Sequence, residues 1–167
     1  MKTLKHIFLT ILAIGLFQSC IVSEKPNIDF FQNSKYDFKG AQFASINVPM
    51  VLAKSYIKKA LREEGESDET IELVKKASKI KVLTVTNGNE KMLNDYAQFL
   101  NHNHYEEWAS IKHDGDDINI KVKQDGEIIK NMLITVGSKK NEIVFLDVKG
   151  NFTANDISKM INSFSGK

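Results

Sequence analysis

The 167-residue chain has one cysteine, two prolines, one tryptophan and no long apolar run beyond Phe17. A lone Cys20 excludes an intramolecular disulfide. Scarce proline, with 42% hydrophobic residues, excludes a Pro-rich or disordered chain and fits one domain with its own core. Charge of one sign is also missing. Lys2 and Lys5 are the only charged residues before Cys20, so beyond them 21 basic residues face 21 acidic ones. A nearly neutral domain lacks the basic footprint of a nucleic-acid partner.

The apolar run that does exist lies at the start. Met1 to His6 is short and basic, Ile7 to Phe17 is apolar, and Gln18-Ser19-Cys20 closes it. A basic head, a short apolar stretch and a small residue form the layout of a secretory signal. The run is shorter than the roughly 20 residues a spanning helix takes. Export places the chain in an oxidising compartment, where a bare thiol is a liability. Lipidation of Cys20 resolves this: a lipoprotein signal ends in a small residue, here Ser19, before the acylated cysteine. Phe17 and Gln18 depart from the commonest pattern. An ordinary signal with an incidental cysteine is the alternative. Expected boundaries are residues 1–19 as signal peptide, 20–26 as lipidated tether and 27–167 as a single domain. Stable anchoring takes more than one acyl chain such as palmitate.

Within the domain, Asn27 is expected to cap a brief helix carrying Ile28, Phe30 and Phe31, docked on the core and ended by Gly40. Residues 42–48 alternate as a strand. Pro49 suits a helix start, with Ala53, Ile57, Ala60 and Leu61 at helical spacing and Gly65 as a break. Ser67-Asp68-Glu69 opens a second helix. Residues 80–86 form a β-rich run, Asn87-Gly88-Asn89 a turn, and Leu93, Tyr96, Ala97 and Leu100 a helical stripe. Strands are expected at 108–112, 117–123, 127–136 and 142–149. Asp114-Gly115, Asp125-Gly126 and residues 138–141 separate them as hairpin turns. Thr153 and Asp156 resemble a capping box before a final helix with Ile157, Met160, Ile161 and Phe164. The pattern predicts an α+β fold: a largely antiparallel sheet with a C-terminal four-strand meander, helices mainly on one face, and a C-terminal helix. Ile143-Val144-Phe145-Leu146 is apolar on both faces and is expected to be central. Its second face, if uncovered, marks an interaction site.

Chemistry-bearing motifs are few. Asn101-His102-Asn103-His104, with His113 reached through the meander, is the candidate metal set. Two histidines two apart share a face only on a strand, and a metal takes three or four ligands. A helix terminus explains the same residues, histidine being favourable at the negative dipole end. His113-Asp114-Gly115-Asp116-Asp117 could gather calcium but lacks the distal Glu of an EF-hand, and a hairpin explains it. Glu106 and Glu107 beside Trp108 face opposite sides of a strand and form no acid pair. Lys58-Lys59 and Lys75-Lys76 read as solvated helix faces. Asn151-Phe152-Thr153 matches a glycosylation sequon, though a helix cap explains Thr153. No Gly-x-Ser-x-Gly, phosphate loop or His-Glu-x-x-His occurs. No cofactor and no enzymatic activity are expected.

Several stretches together are familiar: Ala44-Ser45-Ile46-Asn47-Val48-Pro49, residues 62–67, Ile80-Lys81-Val82-Leu83, residues 145–152 and Asp156-Ile157-Ser158-Lys159. They resemble the DUF4252 family, uncharacterised lipoproteins of the Bacteroidota. The resemblance implies a cell-envelope lipoprotein and supplies no catalytic or binding residues. Residues 21–25 offer one acid and one base, unlike the acid-rich signal of surface-exported lipoproteins. The expectation is therefore an outer-membrane anchor with the domain facing the periplasm. Its expected partners are the membrane, through the lipid, and an envelope protein or small ligand. The alternative is a metal-binding protein or metal-dependent hydrolase built on His102, His104 and His113.

Overall fold

The computed structural model describes residues 22–63, 68–113, 116–137 and 142–165. The elements are β1 (Val22–Ser23), β2 (Gln42–Val48), α1 (Met50–Glu63), α2 (Asp68–Lys76), β3 (Ala77–Thr86), α3 (Glu90–His102), β4 (Glu106–His113), β5 (Asp116–Asp125), β6 (Ile128–Gly137), β7 (Glu142–Phe152) and α4 (Ala154–Ser165). Among the described residues, no helix is long and apolar enough to cross a membrane.

One seven-stranded sheet runs in the order β1-β2-β3-β7-β6-β5-β4. Every neighbouring pair is antiparallel. The last four strands are the expected meander, folded back so that β7 lies against β3. Residues 143–146 are therefore central, as their two-sided apolarity predicts.

Strand periodicity divides the side chains between two cores. On one face, Leu83 and Val85 of β3, Leu133 of β6 and Phe145 of β7 pack with Met92, Tyr96 and Leu100 of α3 and with Ile28, Phe30 and Phe31. On the other, Ile120, Val122, Met132, Val148 and Phe152 pack with Met50 of α1 and Ile157 of α4, joined by Leu73 and Val74 of α2. Three helices thus share one face, in line with the expected arrangement. The exception is α3, which carries the chain from β3 to β4 at the far edge over the opposite face.

Residues 27–41 dock on the α3 face, as expected, but as a strap of turns rather than a helix. Phe31 N–H donates to Ile28 O at 3.0 Å, Asn33 N–H to Phe30 O at 3.2 Å and Ala41 N–H to Phe38 O at 3.0 Å. Asn27 is no helix cap: its amide donates to the carbonyls of Ile46 (3.0 Å) and Val82 (3.3 Å), tying the strap to β2 and β3. Ser45 Oγ adds a bond to Lys25 O at 2.7 Å. Aromatic burial overrides helix propensity here. Phe30 is fully buried and lies 4.6–5.4 Å, centroid to centroid, from the rings of Phe31, Tyr36, Phe38, Tyr96 and Phe99. Gly40, at φ +90°, turns the strap into β2, a conformation that disfavours any Cβ.

Local signals hold at α3 and α4. Asn89 caps α3 by accepting from Met92 N–H at 2.8 Å. Thr153 N–H donates to Asp156 Oδ2 at 2.8 Å while Asp156 N–H donates to Thr153 Oγ1 at 3.3 Å, the reciprocal capping box. Asp156 also meets Lys76 at 2.6 Å, fastening α4 to the end of α2. Gly150 lets that end lie against β7, since a Cβ there would stand 2.6 Å from Lys76 O. The expected breaks and turns at Gly65, Asp114-Gly115 and 138–141, and the Ser67 cap, fall outside the described residues, as does Cys20.

Candidate functional site

The alternation that fills the α3-face core also places charges on it. Lys81 continues the inward row of Leu83 and Val85, and Asp147 that of Ile143 and Phe145. The β3–β7 register sets Lys81 directly opposite Asp147. Both are buried. Lys81 Nζ lies 3.8 Å from Asp147 Oδ2 and 3.3 Å from Asp29 Oδ1 on the strap. Asn131 of β6, also buried, donates to Asp147 Oδ1 at 2.9 Å. The charges are thus paired and hydrogen-bonded, as burial demands.

Above this floor is a half-enclosed cleft of about 330 Å³, between the strap, the end of α3 and strands β5 to β7. Phe30, Tyr96, Phe99 and Tyr105 supply an aromatic wall, Asn103 and Asn131 amides, and Lys123, Lys130 and Lys149 a cationic rim; Asp29 and Asp147 also line it. Lys123 Nζ stands 5.9 Å from the Tyr105 ring centroid, and Lys130 donates to Asn151 Oδ1 at 2.9 Å. Burial pushes the Tyr105 phenol up to about 12, with help from the charges of Asp147 and Asp29. Burial also holds Tyr96 above the ordinary phenol range. Both phenols remain protonated at neutral pH. Two carboxylates engaged in ion pairs, phenols, amides and surplus ammonium groups make a surface suited to holding a small anion with a flat apolar body.

Of the candidate histidines, His102 and His104 lie at the C-terminal end of α3. Tyr105 N–H donates to Leu100 O at 3.0 Å and His104 N–H to Asn101 O at 3.2 Å. His104 itself sits at φ +60°. This is a Schellman stop, with His104 in the position usually taken by glycine. His102 is exposed, its Nδ1 2.8 Å from Gln98 O. The β4 strand carries His113 some 20 Å from Glu106, at about 3.3 Å per residue. Strand β4 thus sets the His113 backbone at the opposite end from the helix terminus that carries His102 and His104, and the His113 side chain lies outside the described residues. Among the described residues, no three His, Cys, Asp or Glu side chains gather as metal ligands. Asp116 pairs with His113 in the hairpin, and Asp117 is exposed, 3.5 Å from Lys112. Glu107 accepts from Asn119 (3.0 Å) and Lys121 (3.1 Å), which hold its carboxyl below the ordinary range.

No local motif marks the cleft, because the strap, the end of α3 and strands β5, β6 and β7 each contribute to it. A signal existed: Lys81 and Asp147 are charges in register with the buried apolar residues Leu83 and Val85 of β3 and Phe145 of β7. A family model, a domain of unknown function (DUF4252), matches residues 36–160. The chain belongs to the DUF4252 family. The match spans every strand from β2 to β7 and most of the cleft lining. No curated protein and no solved structure matches the chain.

Proposed function

We propose that this DUF4252 protein is a cell-envelope lipoprotein, exported by residues 1–19, acylated at Cys20 and held on the outer membrane with its domain in the periplasm. We infer that the domain is a non-enzymatic binding module. The carrying observation is the cleft over the Lys81–Asp147 pair: an aromatic wall beside three ammonium groups. The protonated Tyr105 phenol supplies a donor rather than a base. The leader pattern and the lone Cys20 support the anchor. The near-neutral composition supports a ligand other than nucleic acid.

The binding reading is tested with benzoate and inorganic phosphate as probes, followed by amide chemical shifts. Benzoate should perturb Tyr105, Lys123 and Asn131 in a saturable way, and Lys123→Ala with Lys149→Ala should weaken that binding. Shifts scattered over the surface, or unchanged by the double substitution, would refute the cleft as a binding site.

A further inference from the structure

Five large hydrophobic residues are exposed among the described ones, and four fall on β1, β2 and α1, between residues 22 and 56: Val22 (69%), Ile46 (43%), Val51 (92%) and Tyr56 (76%). Val22 of β1 pairs with Ile46 of β2, so their side chains share a face. That face is the one on which Met50 of α1 packs, and α1 begins four residues after Ile46. The same helix is basic. It carries Lys54, Lys58, Lys59 and Arg62 against Glu63 alone, with no acid in its first turn. Ser55, Lys58, Lys59, Arg62 and Glu63 line an open surface hollow. The Lys59–Glu63 pair, at 3.8 Å, is exposed on both sides. Basic and apolar groups sharing an outer helix face suit a membrane surface.

The path of the chain supplies the occupant. Val22 follows Cys20 by two residues, which span at most about 7 Å. A lipid on Cys20 therefore leaves almost no tether, and β1 with the neighbouring start of α1 is held at the headgroups.

We propose that the outer face of α1 and the β1–β2 edge rest on the anionic headgroups of the bilayer that carries the Cys20 lipid. This rests on the anchor reading above. Tethering makes the contact intramolecular, so a weak electrostatic attraction suffices to orient the domain. Lys58, Lys59 and Arg62 meet phosphates, while Val51 and Tyr56 enter the interface. The cleft, on the opposite face of the sheet, stays open to solvent.

The test uses the chain from Cys20 onward, coupled through its only thiol to maleimide lipid in vesicles. This tether does not depend on whether cells acylate Cys20, which lipid labelling in cells reads separately. Hydrogen exchange of α1 amides is compared on phosphatidylglycerol-containing and phosphatidylcholine vesicles. The expected result is exchange slowed about fivefold or more on the anionic surface, the equivalent of one basic residue's attraction. Lys58→Glu, Lys59→Glu and Arg62→Glu together should remove the effect. Should that variant fail to fold, high salt on the unaltered chain should remove it instead. Equal exchange on both vesicles overturns the proposal. So does protection that ignores lipid charge and grows with protein density, which would assign the face to a second copy of the chain.

Discussion

Replacing Phe30 by alanine tests whether the strap is part of the core or a tether laid upon it. The ring is fully buried, and five aromatic neighbours lie within 5.4 Å between centroids. Truncation removes the transfer free energy of the ring and leaves a cavity between strap and α3. Phe→Ala in a packed core costs about 3–5 kcal/mol. Edge-to-face contacts such as that with Phe31, at 77°, add about 0.5–1.5 kcal/mol each beyond burial. The upper part of the range is expected here, because the rigid sheet under Phe145 cannot collapse into the gap. Against a total of about 5–15 kcal/mol, such a loss is severe. Urea unfolding should show a lower midpoint with an unchanged slope, and the thermal midpoint should fall by about 10 °C or more. Val51→Ala, at an exposed site, is the control and should stay within about 0.5 kcal/mol. A loss below about 1 kcal/mol for Phe30→Ala would show that the strap contributes little to folding.

Lys81→Met should cost about 3 kcal/mol or more in denaturant unfolding, because Asp147 is left charged and buried. Adding Asp147→Leu should recover most of that, and a double variant as unstable as the single would contradict the pairing. Asp156 gives a pH signature. Burial opposes its charge, but bonds from Lys76 and Thr153 outweigh that and hold the carboxyl below its usual 3.8. Its contribution is therefore full above that ordinary value and disappears as pH falls through the lower, folded value. Asp156→Asn should lower the thermal midpoint at pH 7 and differ less from the unaltered protein in strong acid; a constant difference across that range would count against it. His104→Gly should raise stability by about 0.5–1 kcal/mol, since glycine takes positive φ freely. His102→Ala should change stability by less than about 0.5 kcal/mol.

Strands β2 to β7 were legible because each carries its own alternation and turn signals, whereas the two-residue β1 falls within the expected tether and carries neither. The Asp125-Gly126 turn, with Gly126 at φ +60°, joins β5 and β6 where the dipeptide predicts it. The Thr153–Asp156 box was legible for the same reason: all its partners lie within three residues. The strap was only half legible. Its docking follows from Phe30 and Phe31 so near the leader, but its turns are imposed by partners such as Phe99 and Phe145, far along the chain. The cleft was the least legible part. Lys81, Asn131 and Asp147 meet only through the β3–β7–β6 register, which no local pattern specifies. Of the histidines conspicuous in sequence, His104 closes α3 in the left-handed conformation, a role its neighbours in sequence do not specify.

The lipid anchor is tested most directly by the intact mass of the full-length protein extracted from cell membranes. The expected species begins at Cys20 and carries a diacylglyceryl-sized addition on it, while a Cys20→Ala variant leaves the membrane fraction unlabelled by lipid. A chain beginning elsewhere with an unmodified thiol, or a Cys20→Ala variant still lipid-labelled in the membrane, would contradict the anchor.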